Sequence, residues 1–201
     1  GGKGKIFRLA AHTAIAYSKA LDAGKVPMGL RLQFAALDKL VLSKLRSAMG
    51  GNVVYAISGS APLGLRLGHF YRALGIRVLE GYGLTETTAP ISINVPQKFK
   101  IGTVGPVVPG VSAKIAEDGE ILAKGVNVFR GYWHNDKATA DSFVDGWYRT
   151  GDIGALDEDG YLFLCDRKSD MIIAGGVNIY PAEIEAAILE HPEVGDVAVF
   201  G

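Results

Sequence analysis

Val53-Val54-Tyr55-Ala56-Ile57, then Leu63, Leu67, Phe70, Tyr71 and Leu74 at helical spacing, then Ile76-Arg77-Val78-Leu79 make residues 53–79 read as strand, helix, strand. A helix crossover between two short apolar strands is the unit that builds a parallel sheet. The β-branched run at Val53–Ile57 predicts a buried strand. Ser58-Gly59-Ser60-Ala61-Pro62 follows it, with Ser60 expected as the helix N-cap and Pro62 in the first turn.

Upstream, Ile6, Leu9, Ala10, Thr13, Ala14 and Tyr17 predict an amphipathic helix over 5–22, closed by Gly24 and Pro27. Leu30, Phe34, Leu37, Val41 and Leu45 predict a second helix to Met49, stopped by Gly50-Gly51. Downstream of residue 100 the texture changes. Gly, Pro, Asp and Asn recur every few residues, and Glu117-Asp118-Gly119-Glu120 and Asp157-Glu158-Asp159-Gly160 sit between short apolar runs as hairpin turns do. Residues 101–165 therefore read as a small antiparallel β unit. Beyond Asp166 the pattern predicts a strand at Met171–Ala174, a turn at Gly175-Gly176, a helix at Pro181–Leu189 and a strand at Val197–Phe200.

The 201 residues carry 21 Lys+Arg against 21 Asp+Glu, so no net field draws nucleic acid or an anionic membrane. The densest basic stretch, Lys3 to Arg8, holds only Lys3, Lys5 and Arg8, and no nucleic-acid partner is expected. Cys165, the one cysteine, cannot form an internal disulfide, which fits a reducing cytosol. It reads as a buried, inert thiol. No apolar run reaches the ~18 residues of a membrane helix. The 27 glycines point to turns, or to backbone held near a ligand. The opening Gly1-Gly2-Lys3 and the apolar ending Val197–Phe200 carry the expectation of an internal piece of a longer protein.

Three stretches could carry chemistry. Glu80-Gly81-Tyr82-Gly83-Leu84-Thr85-Glu86-Thr87-Thr88 follows a strand directly, where ligands bind in α/β sheets. Tyr82 offers a face for a base, Thr85, Thr87 and Thr88 offer hydroxyls to a phosphate, and Glu86 offers a carboxylate to Mg2+. On composition alone, a turn of ordinary polar residues is the stronger reading. Tyr148-Arg149-Thr150-Gly151-Asp152 ends in a carboxylate able to accept both hydroxyls of a ribose; the plain alternative is a turn with Asp152 bonded to its own backbone. Asp166-Arg167-Lys168-Ser169-Asp170 is either a solvated linker or an interdomain hinge whose Arg167 reaches a nucleotide. His12, His69, His134 and His191 have no ligand spacing for zinc, and Asp157–Gly160 lacks the remaining positions of a calcium loop.

Taken in order, these stretches resemble the AMP-forming acyl-CoA synthetases of the adenylate-forming superfamily. Ser58–Leu63 resembles the family's adenine-side loop, and Gly81-Tyr82-Gly83-Leu84-Thr85-Glu86-Thr87 its most recognisable motif. Gly119–Leu122 with Gly131-Tyr132-Trp133, Trp147–Asp152 and Asp166–Ile172 follow in the expected order, and Gly175–Glu185 matches the opening of a mobile C-terminal domain. The resemblance covers essentially the whole chain. It implies an α/β fold: part of a doubly wound sheet subdomain over 1–100, a small antiparallel β subdomain over 101–165, a hinge at 166–170, and the start of a small α+β C-terminal domain over 171–201.

The same resemblance implies the site. Tyr82 would stack on adenine, with the backbone of Gly59, Ser60 and Ala61 on its other side. Thr85 would bond the α-phosphate and Glu86 would bind Mg2+. Asp152 would hold the ribose, helped by Arg167. Lys168 would be the hinge residue, and Gly175 and Gly176 would line the path of CoA. ATP, Mg2+ and CoA are the expected cofactor and substrates, and a fatty acid is the expected acyl group. The early helices and Lys98–Gly105 look like the long-chain branch, while Gly175–Glu185 looks more like branches acting on shorter or aromatic acids. The family's upstream phosphate loop and its C-terminal catalytic lysine have no counterpart in these residues, so the chain alone is expected to be inactive. The expected location is the cytoplasm, with peripheral membrane contact as the variant. Two other readings remain open: an adenylation domain loading an aryl or amino acid onto a carrier protein, and a non-catalytic nucleotide-binding fragment.

Overall fold

The computed structural model describes residues 2–174, 177–189, 191 and 193–201. They fall into two units, one ending at Leu79 and the other beginning at Glu80.

The first unit is mostly helical. Helix α1 (Gly2–Asp22) turns a stripe of small residues inward, with Ala10, Thr13, Ala14 and Ser18 all buried. Their i, i+3, i+4 spacing places them on one face, and their size lets neighbouring helices approach closely. Helix α2 (Met28–Leu37) supplies Phe34, whose ring stacks on Tyr17 at 4.0 Å and 5°. The core is Ala10, Ala14, Leu37, Leu42 and Leu74, flanked by Phe34, Val41, Leu45, Phe70 and Tyr71.

The second predicted helix is interrupted. A π-helical segment, Asp38–Leu42, separates α2 from α3 (Ser43–Ala48). Asp38, its first residue, takes a two-pronged ion pair from Arg46 at 2.6 and 2.9 Å. The wider turn alters the phase of the helix face, and Leu42 ends fully buried.

Strand β1 (Tyr55–Ser58), helix α4 (Leu65–Ala73) and the opening of strand β2 (Arg77–Leu84) realise the strand–helix–strand unit. Three details depart from expectation. Strand β1 is not buried: Val54 and Tyr55 are exposed and Ile57 is 77% exposed, because β1 lies at the edge of a three-stranded sheet ordered β1, β2, then β3 (Ala89–Ile93). Ser60 is not the N-cap. It sits in the left-handed region at φ 68°, and Gly64, at φ 79°, caps α4 instead. Glu80–Leu84 is not a loop but the second half of β2.

The second unit is the antiparallel β body the turns predicted. Its main sheet runs β4 (Val111–Ile115), β5 (Glu120–Gly125), β7 (Trp147–Leu156), β6 (Phe143–Val144), with β8 (Leu162–Arg167) also on β7. Both predicted hairpin turns are present. Gly119, at φ 84°, closes β4–β5, and Asp157 closes β7–β8 by accepting the Asp159 and Tyr161 amides at 3.1 and 2.8 Å. Four consecutive residues of β5, Glu120–Ala123, are buried, so this strand is covered on both faces. Tyr82, Ile91, Val104, Ile121, Ala123 and Leu162 form the core.

Strand β2 pairs antiparallel with β3 (Ala89–Ile93), with a register shift at Tyr82/Gly83. A β-carbon on Gly83 would run into the Ala89 carbonyl, so glycine is required for this close approach. Helix α5 (Asp136–Asp141) is capped by the Asn135 side chain. Strand β9 (Ile172–Ala174) pairs with β10 (Val177–Ile179), and α6 (Pro181–Ile188) follows with proline in its first turn. Residues 197–200 are not a strand. No sheet partner reaches them among the described residues, and Val199 N–H donates to the Glu185 carboxylate at 2.8 Å instead. Gly175-Gly176, the expected turn, lies outside the described residues. Among those described, no helix is long and apolar enough to cross a membrane.

Candidate nucleotide site

The sharp turn of the second unit is where β7 and β8 face each other. Their register places Asp152 opposite Arg167, with a shift at Ile153/Gly154. Asp152 is half-buried, and the Tyr82 hydroxyl donates to its Oδ2 at 2.7 Å. The Asp152 carboxylate of β7 thus takes its hydrogen bond from Tyr82 of β2, 70 positions away, and has Arg167 of β8 as its cross-strand partner. Burial pushes the Asp152 pKa up, against the Tyr82 hydrogen bond and the Arg167 charge, which pull it down; the Glu120 charge adds to the rise. Burial also pushes the Tyr82 phenol up, so it stays a protonated donor.

A cavity of about 450 Å³ opens here, lined by Leu84, Thr150, Gly151, Asp152, Arg167, Lys168 and Ser169. That volume is within the usual range for small-molecule sites. A hollow of about 590 Å³ lies elsewhere, along Asp166, Ser169–Ile173, α6 and Val199–Gly201. The charged groups of the larger one, Asp166, Asp170 and Glu185, are all acidic, whereas the smaller one sets Asp152 beside Arg167 and Lys168 and is the better site for an anionic ligand.

The threonine-rich stretch divides by role. Thr85–Thr87 forms a 3-10 turn at the end of β2. Thr85 is exposed and available. Thr87 is not. Its buried hydroxyl bonds the Leu84 amide at 2.9 Å and the Ala89 carbonyl at 2.9 Å, so it holds the turn rather than a phosphate. Thr88 and Ala89 follow in the left-handed region at φ 49° and 74°, a strained pair at the edge of the motif.

Glu86 is half-buried, and one of its oxygens, Oε1, accepts the Tyr132 hydroxyl at 2.9 Å. Its backbone oxygen accepts the Phe129 amide at 2.7 Å. Phe129 in turn packs edge-on to Tyr132 and Tyr148, at 4.9 and 5.4 Å. An aromatic cluster thus fixes one side of the carboxylate. Among the described residues no three His, Cys, Asp or Glu side chains gather as a metal cage. A lone carboxylate suits Mg2+, which keeps waters and is shared with substrate phosphates.

Lys168 N–H donates to the Gly151 carbonyl at 2.8 Å, and its ammonium reaches Asp118 at 2.6 Å and Glu120 at 2.9 Å. Those carboxylates raise its pKa. The Asp166–Asp170 charge run is therefore tied down at Lys168 rather than freely solvated. Gly59, Ser60 and Ala61 lie in the first unit, exposed, in the loop after β1. Gly175 and Gly176 lie outside the described residues. Cys165 is half-buried rather than buried, and burial pushes its thiol up, away from reactivity.

Glu120, Asp118, Arg149 and Tyr132 escaped selection as site residues from sequence alone. Acidic residues in an Asp-Gly turn normally face water, and nothing local marks Glu120 as buried.

A family model described as AMP-binding enzyme matches residues 10–133. A long-chain-fatty-acid–CoA ligase, FadD15 of Mycobacterium bovis, is 51% identical over 201 residues, which is 100% of this chain and 34% of that protein. A 2-succinylbenzoate–CoA ligase of Listeria monocytogenes is 42% identical over 188 residues, covering 92% of this chain and 39% of its own length. The crystal structure of ATP-bound MatB from Rhodopseudomonas palustris superposes with a TM-score of 0.72 at 38% identity, over 83% of this chain and 36% of that one. The chain spans about a third of the length of the curated relatives it matches.

Proposed function

The chain belongs to the AMP-binding enzyme family, and on that premise we propose that its β7–β8 cavity holds the ribose of ATP and of an acyl-adenylate. The enzyme it serves joins a fatty acid to coenzyme A. The observation that carries the reading is Asp152: a half-buried carboxylate, oriented by Tyr82 and facing Arg167, on the wall of a nucleotide-sized cavity. A ribose diol supplies two hydroxyl donors to such an acceptor, and Arg167 offsets its charge.

In this proposal the fatty acid carboxylate attacks the α-phosphorus of ATP, and the bond to pyrophosphate breaks. The CoA sulfur then attacks the acyl carbon, the acyl–phosphate bond breaks, AMP leaves and the thiol proton is lost. Both steps move negative charge on phosphate, so positioning and neutralisation carry the catalysis. Thr85 donates its hydroxyl to the α-phosphate. Glu86, held by Tyr132, binds Mg2+, which when present neutralises phosphate charge. Tyr82, its ring buried in the core rather than free to stack on adenine as the resemblance implied, serves the nucleotide by orienting Asp152. Lys168 is the hinge about which the following segment turns between the two steps, and Gly175 and Gly176 line the CoA path. The protein works in the cytoplasm.

The fatty acid is supported by the 51% identity to FadD15 across the whole chain. The 42% identity to a 2-succinylbenzoate ligase supports an aryl acid as the second reading. Calorimetry on the folded chain separates them, using non-hydrolysable palmitoyl- and 2-succinylbenzoyl-adenylate mimics. We expect micromolar binding of the palmitoyl compound, lost in Asp152→Ala. Preference for the aryl compound sinks the fatty-acid reading. A folded chain that binds neither sinks the ribose site.

A further inference from the structure

The least expected group in the second unit is a buried carboxylate. The Glu120 side chain is only 4% exposed, yet it is surrounded by donors. Its Oε1 accepts the Gly151 amide at 3.1 Å. Its Oε2 accepts Arg149 Nη2 at 3.0 Å and Lys168 Nζ at 2.9 Å. Burial alone would lift its pKa, but hydrogen bonds from Lys168, Arg149 and Gly151 outweigh it and hold the carboxylate ionised. Asp118 adds a second acceptor for Lys168 and takes the Glu120 amide at 3.2 Å.

The sequence positions of these partners matter. Gly151 precedes Asp152 and Lys168 follows Arg167. The two neighbours are themselves joined by the Lys168 amide and the Gly151 carbonyl, at 2.8 Å. Glu120 therefore grips both strands directly behind the pair that faces the cavity. Arg149 alone would neutralise its charge, so Lys168 is a second cation that neutralisation does not require. Its effect is geometric: it ties the 166–170 turn to β5 as well as to β7.

We propose that Glu120 is a positioning residue whose carboxylate clamps the Gly151 amide and the Lys168 ammonium together, and so sets the spacing of Asp152 and Arg167 across the nucleotide cavity. The proposal rests on the nucleotide reading given above and extends it. Where Lys168 acts as a hinge, Glu120 and Asp118 are the anchors it must leave. The clamped state presents Asp152 and Arg167 at one separation; release of Lys168 loosens both at once.

Amide hydrogen exchange on the whole chain tests the clamp, with wild type, Glu120→Gln, Lys168→Met and the double variant. Glutamine keeps the shape and an acceptor for Gly151 but removes the charge. Lys168→Met touches a partly exposed side chain and leaves Glu120 paired with Arg149. Exchange of the Lys168 amide should rise about tenfold in either single variant, and the double should be no faster than Glu120→Gln. Amides shared by β4 and β5 should not change. AMP affinity, measured by calorimetry, should fall about tenfold in both single variants. Unchanged Lys168 exchange in both overturns the proposal. So does acceleration spread evenly over β4 and β5, which would make Glu120 a support of the sheet alone, and so does an additive double variant. If wild type fails to bind AMP, the nucleotide reading falls, while the exchange pattern still decides whether the clamp exists.

Discussion

The helical unit and the β unit treat buried polar groups in opposite ways. The first buries alanine, leucine and neutral polar groups, Thr13 and the pair Ser18–His69, whose Oγ and Nδ1 lie 3.0 Å apart. Its ion pairs, Arg46–Asp38 and Arg72–Asp22, stay partly exposed. The second unit buries a charge, Glu120, and surrounds it with donors. A packing core can be assembled from any well-shaped apolar set, whereas a buried carboxylate is tolerated only when fully bonded. The costly group lies in the unit whose strands line the proposed nucleotide cavity.

The largest test is on packing. Leu42→Ala and Ile121→Ala each remove a fully buried side chain and should cost about 2–5 kcal/mol. Trp133 and Trp147, the two tryptophans, both lie in the β unit, so their fluorescence reads that unit while helical circular dichroism reads mainly the other. In urea, Leu42→Ala should lower the dichroism midpoint more than the fluorescence midpoint, and Ile121→Ala the reverse. Coincident shifts would dissolve the contrast, because the chain would then unfold as one block.

Glu120→Ala should follow at about 2–3 kcal/mol, the scale of losing hydrogen bonds to a charged group, read by tryptophan fluorescence in urea. A loss below half that value would mean the exposure of Arg149 and Lys168 already screens the network.

Two glycines sharpen the comparison within the β unit. Gly83→Ala drives a methyl into the Ala89 backbone and should cost about 1–3 kcal/mol as an overpacking strain. Gly151→Ala meets open space and carries only the left-handed penalty at φ 74°, about 1 kcal/mol. Equal costs in thermal melts would remove the close approach as the reason for Gly83.

The smallest effect is on pH. Burial lowers the His69 pKa below its ordinary 6.5, against the pull of Asp22 and with help from Lys19 and Arg72. The folded state therefore binds fewer protons than the unfolded one, so this contribution is full above 6.5 and fades as pH falls through the folded value. Asp118 and Glu120 are held below their ordinary 3.8 and 4.5, so their contribution is full above those values and fades only beneath them. Asp152 runs the other way: raised by burial, it loses stability as pH rises through its own value. Between pH 6.5 and 5 the helical dichroism should soften while fluorescence holds. A fluorescence loss that comes first would reverse the assignment.

Much of the fold could be read from local pattern. Apolar spacing marked α1 and α4, and Asp-Gly turns marked both hairpins, because helix faces and tight turns are set by residues near in sequence. The π segment at Asp38–Leu42 was not legible, since one residue added to a helical turn leaves the composition unchanged. The exposed β1 and the 197–200 run, without a sheet partner among the described residues, depart from expectation for one reason: apolar β-branched residues announce a strand but not how another strand lies beside it.

At the site, residue type and order alone named Tyr82, Thr85, Glu86, Asp152, Arg167 and Lys168. The sequence by itself determined those candidates, because the proposed ribose, phosphate and magnesium contacts each call for particular side-chain chemistry. Only the tertiary structure decided that Tyr82 bonds Asp152, that Arg167 faces it, and that Thr87 serves the turn. The same holds for Glu120, an ordinary turn residue by pattern. Strand register brings it behind Gly151 and Lys168, and register depends on pairings between residues dozens of positions apart, which no local pattern encodes.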